Sequence, residues 1–548
     1  MRARTDFSRN HSPEQDRSLE LRAQWLIRVC WTLNTRVAGT FGGVTHPLHG
    51  LSGALMVCGT TSDSGKSTIV AGLARSLVRA GVRVAPFKAQ NMANNSFITA
   101  SGHEIGRAQG MQAMAACVPA EVAMNPVLLK PSGERVSQVV VLGRPHSSLT
   151  AAEYHEYKPE LLKLVLQSLE DLRSRFDVVL CEGAGSPTEI NLLAHDIVNL
   201  RIAHEADLAA IVVGDINPGG VFAALYGTVM LLPPHYRQRV RGFIINKLRG
   251  DPALLFDGTT QLRDACGVPT LGVLPWITGL TLDAEDSMNV PSSYGGGAPL
   301  ADALDIAVVR LPYISNFTDF DPLSIEAGVN VRFVHHGSAL GRPDLVIVPG
   351  SKSTVSDMAW LHEMGFATAL RTIAVPRLGI CAGYQMFGRT IQDEVESSSG
   401  VVEGLGLLDV HTVFHPDKVT AQRRATSLGH TMTGYQIHHG RVTPGTTGQP
   451  WVTFDDGVDD GAVEMRSQHN GVPVMGTTMH GMFESDGFRR AFLREIAEWA
   501  GKTFVSHGVS FAAARDAQIN RVADALEAHV NLAQVAELIS TAPTLRPV

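Results

Sequence analysis

An apolar run, Ala54 to Val57, leads into Gly59-Thr60-Thr61-Ser62-Asp63-Ser64-Gly65-Lys66-Ser67, and apolar residues then recur at helical spacing as Ile69, Val70, Leu73, Ala74, Leu77 and Val78. Few folds accept that order. A buried strand feeding a glycine-rich turn and an amphipathic helix belongs to a parallel sheet covered by helices. Backbone N–H groups of such a turn form an anion site at the helix start, and a lysine adds a point charge for phosphates. Gly59, Thr60, Ser64, Gly65, Lys66, Ser67 and Thr68 are therefore the nucleotide-binding candidates, with the Ser67 hydroxyl as a magnesium ligand. The spacing has one more residue between its glycines than the usual G-x-x-x-x-G-K-[ST] loop.

Further buried strands follow at Val82 to Ala85, Val178 to Leu180, Leu208 to Val213, Phe243 to Ile245 and Leu271 to Leu274. Ligands of open α/β sheets bind beyond the carboxyl ends of the strands, so Lys88, Glu182, Asp215, Asn246 and Lys247 should converge with the phosphate loop. Glu182 stands where a second magnesium ligand is needed, the alternative being a solvated glutamate. Asp215 reads equally as a metal ligand or a turn residue. Asn246 with Lys247 reads as a base contact or as an exposed turn. The segment Lys88 to Ser96 is dense in amides, and Lys88, Gln90, Asn91 and Asn94 suit a large polar substrate bearing carboxylates and amides; as a plain loop it is simply hydrophilic.

At 548 residues the chain exceeds what one hydrophobic core organises. The boundaries read as an extension over 1–50 with little order, an ATP-dependent domain over 51–288, a linker over 289–302 centred on Val290 to Pro299, a second α/β domain over 303–500, and a helical tail over 501–548. Strands of the second alternation are expected at Ile306 to Val309, Val331 to Val334 and Leu345 to Val348, and tail helices between Phe511 and Ile539. The charge balance, 46 basic against 53 acidic residues, gives nucleic-acid binding no support. No apolar run reaches membrane-span length. The six cysteines form no C-x-x-C pair, which fits a reducing, cytoplasmic setting.

One of those cysteines stands apart. Leu378-Gly379-Ile380-Cys381-Ala382-Gly383-Tyr384-Gln385 places a thiol on a strand-to-helix turn, the geometry of the G-x-S-x-G nucleophile elbow. A buried cysteine in a glycine-rich turn is the other reading. His480 is the candidate base, or else a turn residue. His438 and His439 lack a third ligand at metal spacing and read as structural.

The ordered set of motifs resembles the cobyric acid synthase family. It comprises Gly59 to Ser67, Phe87 to Met92, Cys181-Glu182-Gly183-Ala184-Gly185-Ser186, Gly219 to Ala223, Glu285-Asp286-Ser287, Pro349 to Thr354, the Cys381 elbow, Gly434-Tyr435-Gln436-Ile437-His438 and His480-Gly481-Met482-Phe483. The resemblance implies a P-loop NTPase-like, dethiobiotin synthetase-like parallel-sheet domain followed by a class I glutamine amidotransferase-like α/β domain. It further implies amidation of the b, d, e and g carboxylates of adenosylcobyrinic acid a,c-diamide in cobalamin biosynthesis, using ATP, Mg²⁺ and L-glutamine and no prosthetic group. Its partners are then small molecules, with oligomeric state left open. The resemblance also implies Gly350, Ala382 and Gln385 as the oxyanion and glutamine site. The sister cobyrinic acid a,c-diamide synthases, other P-loop amidoligases and partition-type ATPases are the alternatives; Ala89-Gln90-Asn91-Met92 stands where the sister family carries a Gly-Pro-Asp-Tyr type stretch.

Three departures mark the chain. Met482 occupies the place where related glutaminases carry a glutamate two residues after the histidine, so Cys381 and His480 act as a dyad or recruit another carboxylate such as Glu484. Asn217-Pro218 stands where relatives often have Asp-Arg, and Gln436 where they often have Glu.

Overall fold

A computed structural model describes residues 46–132, 136–282, 293–294, 302–466 and 471–541. Most of the expected N-terminal extension and linker, and the Glu285-Asp286-Ser287 motif, lie outside the described residues. The first sheet comprises β1 (Gly53–Gly59), β2 (Val84–Phe87), β3 (Val178–Glu182), β4 (Ala209–Asp215), β5 (Val240–Leu248) and β6 (Thr270–Pro275), in the order β6-β5-β4-β1-β3-β2. All its pairings are parallel. Every residue of β1 is buried. Its side chains alternate between two cores, Ala54, Met56 and Cys58 on one face and Leu55 and Val57 on the other. That is why it reads as a continuous apolar run rather than as an alternation.

Helix α1 (Lys66–Arg79) follows β1 and covers one face. The tail helices α2 (Phe511–His529) and α3 (Leu532–Ser540) return to that same face, where Val522, Leu526, Val535 and Ile539 join the core. Gly72 permits the contact: a Cβ there would stand 2.4 Å from Leu526 Cδ1 and 2.7 Å from Val522 Cγ1. Arg75 adds a salt bridge to Asp516 at 2.8 Å and a hydrogen bond to Asn520 at 2.9 Å. The end of the chain thus completes the first domain.

The second domain is built on β7 (Leu304–Val309), β8 (Val329–Val334), β9 (Leu345–Val348), β10 (Arg377–Ile380) and β11 (Val472–Thr477), ordered β8-β7-β9-β10-β11 and parallel throughout. Antiparallel strands Ser293–Tyr294 and Ala462–Arg466 close its edges. A long hairpin, Val410–Ser427 with His430–Pro444, leans across the carboxyl edge and pairs Tyr435 with His480.

Candidate active site

Two clusters of polar side chains lie at the carboxyl edges of the two sheets. In the first domain Gly65 takes a left-handed φ of 96° at the start of α1. Lys66 is buried, and its Nζ donates to the carbonyls of Thr61 at 2.8 Å, Ser62 at 3.0 Å and Gly185 at 3.3 Å. Glu182, at the end of β3, accepts from Ser67 Oγ at 2.8 Å, Lys88 Nζ at 2.9 Å and Gln112 Nε2 at 2.5 Å. Hydroxyl and carboxylate oxygens side by side make a donor set that suits Mg²⁺, a hard cation. Asp215 is engaged elsewhere: its carboxylate accepts from Lys247 Nζ at 2.7 Å and from the Asn217 backbone at 2.8 Å. Among the described residues no three acidic, histidine or cysteine side chains gather as a metal cluster. Asn246 Nδ2 donates to the Ser64 carbonyl at 2.9 Å, and Lys247 Nζ to that of Asp63 at 2.7 Å. Both residues thus brace the phosphate loop from β5.

A cavity of about 960 Å³ opens beside this loop, bordered by Gly65, Ser67, Thr68, Lys88 and Lys247. Gln90, Asn91, Met92, Ala93 and Asn94 form part of its wall. Gln90 and Asn91 are themselves held, by Tyr154 Oη at 2.5 Å and Gln109 Oε1 at 2.9 Å. Asn94 Oδ1 is buried with no hydrogen-bond partner among the described residues, which is the condition of a polar atom meant for a ligand. Sequence reasoning missed Gln112, Lys158, Asp196 and Tyr313, which also border this region.

In the second domain Cys381 follows β10 and precedes the short helix Ala382–Phe387. Its φ of 52° is unusual for a residue with a side chain. Such a conformation persists only where its surroundings enforce it, and it is typical of functional sites. The enforcement is visible: a Cβ on Gly383 would lie 2.0 Å from the Val348 carbonyl oxygen, so only glycine lets the turn close on β9. Cys58 and Cys181 are buried at strand ends, where burial raises their thiols, Cys181 to about 12. Neither is placed to form a thiolate.

The Cys381 thiol donates to the Ile437 carbonyl at 3.8 Å, and the Cys381 side chain is near enough to His480 to raise the imidazole pKa. His480 Nδ1 lies 2.6 Å from Asp319 Oδ2, and Asp319 Oδ1 accepts from the Gly481 backbone at 2.9 Å. A carboxylate at Nδ1 fixes the proton there and leaves Nε2 as the basic atom. Burial lowers the basicity of His480, but the Asp319 charge and the Cys381 thiolate outweigh it and carry the pKa up to about 10. Asp319 is thus the third member that sequence reasoning did not find. Glu484 is not that member: it binds Arg107 Nη2 at 2.8 Å and Arg515 Nη2 at 3.1 Å. The available signal was a carboxylate set inside Phe317-Thr318-Asp319-Phe320, ten residues after the end of β7.

Ala382 and Gln385 border a small pocket with Cys381, and Gly350 backs onto His480, where a Cβ would stand 2.8 Å from Cε1. Gln385 Nε2 and the Nε2 atoms of His438 and His439 are buried without a hydrogen-bond partner among the described residues. Both histidines donate through Nδ1–H to backbone carbonyls, of Gly440 at 2.7 Å and His415 at 2.9 Å. Burial pushes His438 down to about 4, so it is neutral. All three residues border the Cys381 pocket, so these nitrogens remain without protein partners beside the thiol among the described residues.

The two sites share a wall. Lys130 borders the Cys381 pocket and the adjacent Pro131 the large cavity; Tyr313 borders the cavity and Ser315 the pocket. Within the wall Glu104 is buried, binding Lys130 at 2.5 Å, Ser96 Oγ at 2.6 Å and Lys418 at 2.7 Å. Burial and Lys418 lower Lys130 to about 8 in spite of Glu104.

Residues 55–290 match a family model described as the CobQ/CobB/MinD/ParA nucleotide binding domain, and residues 305–488 a CobB/CobQ-like glutamine amidotransferase domain. The chain is 47% identical over 519 residues to the cobyric acid synthase of Frankia casuarinae, covering 89% of this chain and 97% of that protein. It is 49% identical over 500 residues to that of Mycolicibacterium paratuberculosis, covering 90% and 98%. With that of Streptomyces avermitilis it shares 49% over 510 residues, covering 91% and 98%.

Proposed function

The chain belongs to the cobyric acid synthase family, and from that premise we propose that it amidates the b, d, e and g carboxylates of adenosylcobyrinic acid a,c-diamide, activating them with ATP and taking nitrogen from glutamine. The observation that carries this reading is the pairing, across one wall, of a Cys381–His480–Asp319 site with an amide-lined cavity beside a phosphate loop.

A carboxylate is a poor electrophile, so an oxygen of the acceptor first attacks the γ-phosphorus of ATP, and ADP departs. Lys66 and the loop N–H groups hold the phosphates and neutralise charge as it develops. Mg²⁺ would be held by Ser67 and Glu182 and would neutralise charge on the nucleotide. Lys88, Gln90, Asn91 and Asn94 face the acceptor with donors and acceptors matched to carboxylates and amides.

In the second site the Cys381 thiolate attacks the side-chain amide carbon of glutamine, His480 gives its proton to the departing ammonia, and a γ-glutamyl thioester remains. Water, deprotonated by His480, then releases glutamate and regenerates the thiol. Gln385 and the Nε2 atoms of His438 and His439 bind the glutamine, with the N–H groups around Ala382 and Gly350 opposite the developing oxyanion. Ammonia attacks the acyl phosphate carbon in the first site, and phosphate leaves. The reaction needs no prosthetic group, nucleic acid or membrane, and the reduced thiols of Cys58, Cys181 and Cys381 suit a reducing cytoplasm; no described helix is long and apolar enough to cross a membrane.

The test incubates the purified protein and its Cys381→Ala variant with adenosylcobyrinic acid a,c-diamide, MgATP and either glutamine or ammonium, with products weighed by mass spectrometry. The expected result is the fully amidated corrinoid from either nitrogen source with the native enzyme, and from ammonium alone with Cys381→Ala. An unchanged corrinoid with ongoing ATP hydrolysis overturns the reading.

A further inference from the structure

Lys158, on the wall of the large cavity, carries an ammonium without a counter-ion among the described residues. It sits half-buried in the helix Ala151–Arg175, which leads into β3. The ammonium lies over the Tyr154 ring, 5.6 Å from the centroid, and makes no ion pair or hydrogen bond among the described residues. Asp196 borders the same cavity, but its carboxylate is spent on backbone N–H groups, of Val198 at 2.9 Å, Asn199 at 3.1 Å and Arg201 at 3.3 Å. Burial lowers the proton affinity of Lys158, and the Asp196 charge offsets this only in part. The other lysines of the cavity are engaged: Lys88 by Glu182, Lys247 by Asp215 and Lys66 by three carbonyls. A cation that has lost water without gaining an anion is a receptor for one.

Strand order places Lys158 at the acceptor end of the cavity. The phosphate loop follows β1; Asn246 and Lys247 brace it from β5, two strands to one side, whereas Lys158 and the amide wall belong with β3 and β2 on the other. Tyr154 joins these last two, its Oη donating to Gln90 Oε1 at 2.5 Å. Met92, 53% exposed, and Leu192, 41% exposed, border the same space and offer it apolar surface. An inorganic anion has no use for that surface. A carboxylate borne on a large apolar ring has.

Resting on the function proposed above, we propose that Lys158 is a substrate-binding residue that holds a carboxylate of the corrinoid other than the one being phosphorylated. The acceptor carries several carboxylates around one ring, so one can meet the γ-phosphate while another pairs with Lys158. An ammonium–carboxylate contact is a charge-assisted hydrogen bond, stronger than the neutral amide contacts beside it. Each round replaces a carboxylate with a neutral amide, so fewer remain for Lys158 to hold and the ligand binds less tightly as amidation proceeds. Lys158 thereby separates substrate from product by charge. The side-chain amides of the wall cannot, because each has a donor and an acceptor and suits carboxylate and amide alike.

The experiment measures, by equilibrium dialysis against the full-length protein and its Lys158→Gln, Lys158→Met and Lys158→Arg variants, the Kd of adenosylcobyrinic acid a,c-diamide and of its fully amidated product. Steady-state constants for the diamide and MgATP are measured alongside. Loss of the ammonium is expected to weaken diamide binding about tenfold, the effect of one charge-assisted hydrogen bond, and binding of the product, with four fewer carboxylates, by about twofold or less. The KM for the diamide should rise by more than kcat falls, with the KM for ATP unmoved, and Lys158→Arg should recover most of the affinity. Lys158→Met keeps the reach of the side chain and decides the matter where thermal unfolding shows that Lys158→Gln does not fold. Native diamide affinity in a folded variant without the charge, an equal loss for substrate and product, or a rise in the KM for ATP alone overturns the proposal and leaves the proposed function intact. Absence of diamide binding and amidation with the native protein overturns both.

Discussion

His480 has a carboxylate on one edge of its ring, and that charge raises its proton affinity. Asp319 supplies it at 2.6 Å and decides the tautomer. Replacing Asp319 by Asn keeps the shape and removes the charge. Glutamine hydrolysis should then fall by roughly 10²- to 10⁴-fold in kcat, the scale seen when the orienting carboxylate of a catalytic histidine is lost. The pKa of His480 stands near 10 because Asp319 and the thiolate overcome burial, so the native rate should hold until alkaline pH and then fall as the imidazolium loses its proton. Without Asp319 that alkaline limb should move to lower pH, measured as kcat against pH; an unmoved limb would show that Asp319 does not act through the ring. Cys381 and His480 were legible in the sequence because each sits in a local motif. Asp319 was not, because its partner lies 161 positions away and nothing in its own neighbourhood has catalytic spacing.

At the scale of elements, the strands were readable because both sheets are covered on two sides and so demand unbroken apolar runs, as in β1 and β4. The elbow was readable for a different reason: glycines at fixed offsets around a cysteine have few other uses. Gly383→Ala should therefore remove soluble folded protein or glutaminase activity altogether, since its Cβ would meet the Val348 oxygen at 2.0 Å. Expression and glutamate release, compared with Ala382→Gly, provide the check. The tail helices were visible as amphipathic periodicity, but their destination was not, because periodicity names a buried face and never the surface it covers. Leu526 is fully buried against α1. Truncating it to alanine should cost about 2–5 kcal/mol of stability, read by chemical denaturation of the first domain's signal. A loss below about 0.5 kcal/mol, the usual scale of surface substitutions, would show that the tail does not complete that core.

The whole molecule is held together by charges that cross between domains. Lys418 of the second domain binds Glu104 of the first, and Arg107 of the first binds Glu484 of the second. Burial disfavours both carboxylates in charged form, yet Lys130 and Lys418 hold Glu104 well below the usual range, and Arg515 and Arg107 hold Glu484 at about 2. A carboxylate whose folded pKa is depressed contributes fully above its unfolded value, and that contribution is lost as pH falls through the folded one. Stability should therefore decline as pH drops from about 5 toward 2, and Glu484→Gln should flatten that decline when unfolding midpoints are compared across the range. None of these cross-domain pairs was visible in the sequence, where each residue is one charge among many. One wall joins the two sites, so that in the proposed reaction ammonia made at Cys381 is consumed at the phosphate loop. The most direct measurement supplies glutamine labelled with ¹⁵N in its side-chain amide together with unlabelled ammonium, and weighs the corrinoid product. Product nitrogen should remain predominantly ¹⁵N with the native enzyme and become unlabelled with Cys381→Ala. Product carrying the isotope ratio of the bulk ammonium in the native enzyme would show that ammonia does not pass between the two sites.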